Sequence, residues 1–146
     1  MLVRAFVYLA VVELTRRVGG LRHLLVRSSF PAAEMQRVTR NLPGHRRRAH
    51  DYARRLDQAS RHTPFSAQCL HRSLALYLWL RRDGIESSVK VGVRKLDGQF
   101  KAHAWVEVDG EVVNDSAQAV APFSMLSRLG SLEALPLGNH PERLFI

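Results

Sequence analysis

A chain of 146 residues with 46% hydrophobic content suits one globular domain with one sizeable core. Its single cysteine excludes an intramolecular disulfide framework and a cysteine-rich zinc pattern, so a reducing, cytoplasmic setting is expected. The net charge of +9 comes entirely from the first half, where residues 1–68 hold 13 Lys and Arg against 4 Asp and Glu, while residues 69–146 hold 9 of each.

A basic half can serve nucleic acid, an acidic peptide or an acidic protein, and charge alone does not choose between them. No zinc-finger spacing, aromatic RNA-binding signature or glycine-rich phosphate loop accompanies it, so nucleic acid is not an expected partner. The apolar run from Ala5 to Val12 is eight residues long between Arg4 and Glu13, too short to span a bilayer, and no transmembrane span is expected. A peripheral membrane contact is the lesser alternative to a buried helix.

In chain order, the pattern predicts a mostly apolar helix from about Leu2 to Val18, stopped by Gly19-Gly20 and buried on more than one side. One or two short helices follow between residues 21 and 42, broken around Pro31 and at Pro43-Gly44. From His45 to His62 an Arg-rich helix is expected, with Ala49, Tyr52, Ala53, Leu56 and Ala59 as its apolar stripe. It carries Arg46, Arg47 and Arg48, a candidate docking cluster that would otherwise be a solvated face.

The next helix begins at Thr63-Pro64 or at Ser66 and contains Cys69 in its first two turns. Leu70, Leu74, Leu76, Tyr77, Leu78, Trp79 and Leu80 make it a core helix, ended by Arg81-Arg82-Asp83-Gly84. A thiol near a helix N-terminus sits beside unpaired backbone N–H groups and the positive end of the macrodipole, which favour thiolate. The competing reading of a lone cysteine is a small buried hydrophobe.

The period then changes from helical to two. Val89, Val91 and Val93 alternate with polar residues, Asp97-Gly98 turns the chain, and Phe100, Ala102, Ala104 and Val106 alternate with Lys101, His103, Trp105 and Glu107. A two-residue turn pairs Val93 with Ala102, Val91 with Ala104 and Gly92 with His103, leaving room beside the ring. At the second turn a three-residue loop, Val108-Asp109-Gly110, is expected because it pairs His103 directly with Asp115, whereas a two-residue loop would put them on opposite faces. A helix-borne cysteine, a strand-borne histidine and an aspartate on the neighbouring strand form an activated-thiol constellation. His103 would handle the thiol proton and Asp115 would orient the ring. A metal site built from His62, Cys69, His71 and His103 is not expected, since His71 lies two residues past Cys69 and points away from it.

The segments Cys69-Leu70-His71-Arg72-Ser73-Leu74-Ala75-Leu76-Tyr77, Val91-Gly92-Val93-Arg94-Lys95, Ala102-His103-Ala104-Trp105-Val106-Glu107-Val108-Asp109-Gly110 and Val113-Asn114-Asp115 resemble the transglutaminase-like cysteine peptidases of lasso-peptide biosynthesis. The resemblance covers roughly residues 60–116. It implies an α+β fold with a transglutaminase-like, papain-like core, a helical N-terminal part over residues 1–62, a catalytic helix and at least three antiparallel strands over 63–116, and a C-terminal segment over 117–146, all in a single domain. It implies Cys69 as nucleophile, His103 as general base and Asp115 as orienting acid; no cofactor and no metal are expected. Papain-like enzymes place an oxyanion-hole Gln several residues before the cysteine, where this chain has Thr63; here Gln68 is the candidate, beside the backbone N–H of Cys69.

The implied activity is removal of the leader from a ribosomally made precursor peptide before a separate cyclase acts. The chain resembles the stand-alone form of that peptidase, so the expected partners are the precursor leader, a separate leader-binding protein and, as a further candidate, the lasso cyclase. Two alternatives belong to other classes: an acyltransferase using the same triad, and a non-catalytic basic peptide-binding module.

Overall fold

Trp79 is the residue on which the helical layer closes. Its ring is stacked between Tyr8, at 5.5 Å, and Tyr52, at 4.3 Å. Those three aromatics come from three helices, α1 (Leu2–Arg17), α2 (His45–Ser60) and α3 (Cys69–Arg82). The computed structural model describes residues 2–17, 44–63 and 68–125, and the helices expected between 21 and 42, together with a start at Ser66, lie outside them.

The stripe expected on α2 is the face it buries: Ala49, Tyr52, Ala53, Leu56 and Ala59. Tyr52 also donates its hydroxyl proton to Asp83 Oδ2 at 2.6 Å, tying α2 to the end of α3. That end is closed by Gly84 in the left-handed region, with Ile85 N–H donating to Leu80 O at 2.9 Å and Gly84 N–H to Arg81 O at 3.2 Å. This is the helix-ending hydrogen-bond pair in which a left-handed glycine satisfies the last carbonyls. Buried Ile85 supplies the accompanying apolar contact.

The expectation that α1 is buried on more than one side is corrected. Among its described side chains the buried row is Ala5, Leu9, Val12 and Glu13, because α2 and α3 pack on the same side. Leu2, Val3, Phe6, Val7, Val11 and Leu14 stay between 37% and 72% exposed.

The sheet has the order β3-β2-β1-β4, with β1 (Ser88–Leu96), β2 (Gln99–Val108), β3 (Glu111–Val112) and β4 (Ser124–Met125), all paired antiparallel. The β1–β2 hairpin has the register read from Asp97-Gly98: Val91 faces Ala104, Gly92 faces His103 and Val93 faces Ala102. One face, carrying Val89, Val91, Ala104, Val106 and Val108, packs with α3 into the core. Helices on one side of an antiparallel sheet make the fold α+β.

The β2–β3 turn differs from expectation. Glu107 pairs with Val112 and Val108 with Glu111, so the loop is the two residues Asp109-Gly110, both with positive φ (53° and 76°). Such a turn matches the strand twist, whereas the three-residue loop would set Glu107 opposite Glu111. The slip moves Val113 onto the core face, where it is buried, in place of Val112.

Candidate active site

The chain reaches α3 in an extended conformation at Gln68 and turns helical at Cys69, the first helical residue. The described helix thus puts the thiol in the turn whose N–H groups have no intrahelical partners. Gln68 is the N-cap, yet its side chain makes no capping hydrogen bond, which leaves the amide for other use. Cys69 itself is buried, with 2% exposure.

His103 is delivered from β2, on the sheet face opposite the core. Its Nε2 lies 2.7 Å from Asp115 Oδ2. Nδ1 is buried and makes no hydrogen bond of good geometry. The Cys69 thiol nevertheless exerts the largest influence on the ring, raising its pKa above the ordinary histidine value; burial opposes this, and Asp115 adds to it. Hydrogen bonds of reactive pairs often form fully only when substrate is bound. With Nε2 engaged by Asp115, Nδ1 is the nitrogen left for the thiol proton. The imidazolium form is favoured by both neighbours.

The two-residue turn ought to separate His103 from Asp115, and the chain avoids this by leaving the ladder. Val113 N–H still donates to Val106 O at 3.0 Å. Then the strand ends in a bend over residues 113–115, and the side chain of Asn114 takes over the role of the missing strand: its Oδ1 accepts from Val106 N–H at 2.7 Å. Asn114 Nδ2 donates to Ser73 Oγ at 3.0 Å, and the fully buried Ser73 donates to Ala104 O at 2.9 Å. The bend so anchored carries Asp115 round to the histidine. Its second oxygen accepts from Ser116 N–H at 2.8 Å, which holds the carboxylate in place.

Sequence reasoning assigned no role to Asn114 or Ser73. The available signal was Asn114 itself, a turn-forming residue directly before Asp115, whose side chain can stand in for a backbone carbonyl. It also missed Phe123, whose ring lies 5.2 Å from His103. The room expected beside the ring at Gly92 is filled: a Cβ there would meet Phe123 Cβ at 2.7 Å and Trp105 Cη2 at 3.0 Å.

Arg46 does not stand free. It donates to Glu111 Oε2 at 2.6 Å, and His50 Nε2 lies 3.2 Å from the other oxygen. Arg47 and Arg48 are exposed on the same helix. His71 points away from Cys69 and lies 3.1 Å from Glu13 in the α1–α3 contact. Among the described residues no group of three potential ligands is placed to hold a metal. A cleft of about 260 Å3 adjoins the site at Asn114, with the Asp57–Arg72 ion pair (2.7 Å) in its wall; it contains neither Cys69 nor His103.

The family described as the transglutaminase-like superfamily matches residues 8–128. A curated relative, the microcin J25-processing protein McjB of Escherichia coli, is 34% identical over 65 residues, which is 44% of this chain. The matched stretch spans only 30% of that relative's length. No solved structure gives a significant match. No described helix is long and apolar enough to cross a membrane.

Proposed function

The chain belongs to the transglutaminase-like superfamily, and we propose that on this scaffold it is a cysteine peptidase that removes the leader from a ribosomally made lasso-peptide precursor. The observation that carries this reading is the 2.7 Å contact of His103 Nε2 with Asp115, on a ring whose pKa the Cys69 thiol raises. The likeness to a relative named for processing microcin J25 supports a precursor peptide as substrate.

In the proposed reaction the Cys69 thiolate attacks the scissile carbonyl, and a tetrahedral oxyanion forms. The Cys69 N–H, unpartnered within the helix, is the first donor to that oxygen, and the uncommitted Gln68 amide is the second. His103 then gives its proton to the leaving amine, releasing one fragment and leaving a thioester. Water, deprotonated by the now neutral His103, hydrolyses the thioester and restores the thiol. Asp115 keeps the ring oriented and stabilises its charged form throughout.

The peptidase would act with a separate leader-binding protein and before the cyclase. Arg47 and Arg48, with Arg46, would attract an acidic partner or leader. Residues 63–116 would carry the catalytic helix and strands. The test is to incubate the protein with a candidate lasso precursor and leader-binding protein and follow mass. Leader loss that requires Cys69 is expected; an intact precursor under every combination of components would refute the reading.

A further inference from the structure

The face of the sheet that holds His103 ends, toward the Asp97-Gly98 turn, in two cations. Arg94 and Lys101 are directly opposite one another across β1 and β2, two residues along each strand from Gly92 and His103 and therefore on the same face. Like charges placed opposite one another are destabilising in a hairpin. At the other end of this face the same problem is solved internally, where Lys90 has Glu107 at 3.9 Å and Trp105 Nε1 donates to that carboxylate at 2.9 Å. Among the described residues neither Arg94 nor Lys101 has an acidic partner. Asp115, the acid of the site, has both oxygens engaged, by His103 and by Ser116 N–H.

These cations are not loose surface charges. Both are half-buried, and the Arg94 guanidinium is stacked over Phe123 at 4.8 Å, on the ring that also rests against His103. Arg94 Nε is buried without a hydrogen-bond partner. The other nitrogens of this planar, stacked guanidinium have no acidic partner among the described residues and suit a carboxylate that arrives from outside.

We propose that Arg94 and Lys101 form an anion subsite on the His103 face of the sheet, binding a carboxylate side chain of the peptide close to the scissile bond. Two residues of strand span about 6.6 Å, which is also the spacing of same-side side chains on an extended peptide. The inference rests on the reading of Cys69 and His103 as the reactive pair.

The experiment compares two thiol reagents of similar size, neutral N-ethylmaleimide and anionic 3-maleimidopropionate, whose carboxylate sits several ångströms from the reacting carbon. Cys69 is the chain's only thiol, so each rate reports this site. In the Arg94→Gln, Lys101→Gln double variant the ratio of anionic to neutral rates should fall roughly five-fold, as expected for charges separated by several ångströms near a protein surface. Salt should shrink the wild-type preference, and the neutral rate serves as each variant's internal reference. Arg94→Lys should retain part of the preference, and Lys95→Gln, on the reverse face, should retain all of it. An unchanged ratio in a double variant whose Cys69 still reacts would overturn the subsite alone. A wild-type Cys69 inert to both reagents would overturn the reactive pair and the subsite with it.

Discussion

His103 and Asp115 are joined at 2.7 Å across a bend in the chain and not across a strand ladder. The strand that should carry Asp115 lasts only two residues, and beyond it the backbone is held by side-chain hydrogen bonds from Asn114. The orientation of the proposed triad thus rests on an amide whose hydrogen bonds go to Val106 and Ser73, outside the triad.

Asn114→Ala should therefore weaken both stability and turnover. It leaves the Val106 N–H without its acceptor, at a cost of about 1–3 kcal/mol, and frees Asp115 to drift from the ring. Misplacement on the ångström scale costs on the order of 100-fold in rate. Thermal unfolding and single-turnover cleavage would measure the two effects, and a destabilised variant with wild-type kcat would show that the bend does not position Asp115.

Asp115→Asn should shift the pH profile of cleavage in a defined direction. The thiol and Asp115 both raise the His103 pKa, so losing the carboxylate lowers it and moves the alkaline limb of kcat/KM to lower pH. The stability effect has a matching sign. A raised folded-state pKa contributes stability that is fully present below the ordinary histidine value near 6.5 and is lost as pH rises through the raised value. The substitution should consequently destabilise more at pH 5.5 than at pH 9. Equal destabilisation at both would mean that Asp115 does not support the imidazolium.

Cys69→Ala should abolish leader removal and leave the fold intact. The side chain is buried and small, so its truncation costs on the order of 1 kcal/mol, while the covalent step loses its nucleophile. Undiminished cleavage by a well-folded Cys69→Ala protein would end the cysteine-peptidase reading.

Gly92→Ala should be poorly tolerated. The added methyl would meet Phe123 Cβ at 2.7 Å, an atom tied to the backbone, as well as the edge of Trp105 at 3.0 Å. A cost of roughly 1–3 kcal/mol is expected, with β4 displaced from Gly92 and Val93. Phe123→Ala, which retains the Cβ, should not relieve it; calorimetry on the single and double variants decides the matter.

Arg47→Glu with Arg48→Glu should slow cleavage of a full precursor in the presence of its leader-binding partner, most strongly at low salt, without changing Cys69 alkylation by N-ethylmaleimide. Arg46 is left out of this variant because reversing it would oppose Glu111 within the chain and disturb β3. If partner affinity and cleavage are both untouched, the cluster is a solvated face, and the exposed apolar row of α1 becomes the next surface to mutate.

Periodicity and turn chemistry determined much of this protein before any coordinates. The α2 stripe follows from helical spacing, and the β1–β2 register follows from Asp97-Gly98, because a two-residue turn leaves one pairing that keeps both apolar rows together. Cys69 at a helix start and His103 on a strand were legible for the same reasons. Three things depended on the tertiary structure. The one-sided burial of α1 depends on where α2 and α3 lie, and an all-apolar helix carries no periodic signal to say which face they cover. The β2–β3 register turned on a one-residue choice between loops, and the requirement that His103 face Asp115 favoured the wrong one. That requirement is met by Asn114, Ser73 and the carbonyl of Ala104, contributed from the bend, α3 and β2. Hydrogen bonds between side chains so distant in sequence leave no local pattern; packing α3 against the sheet brings them together.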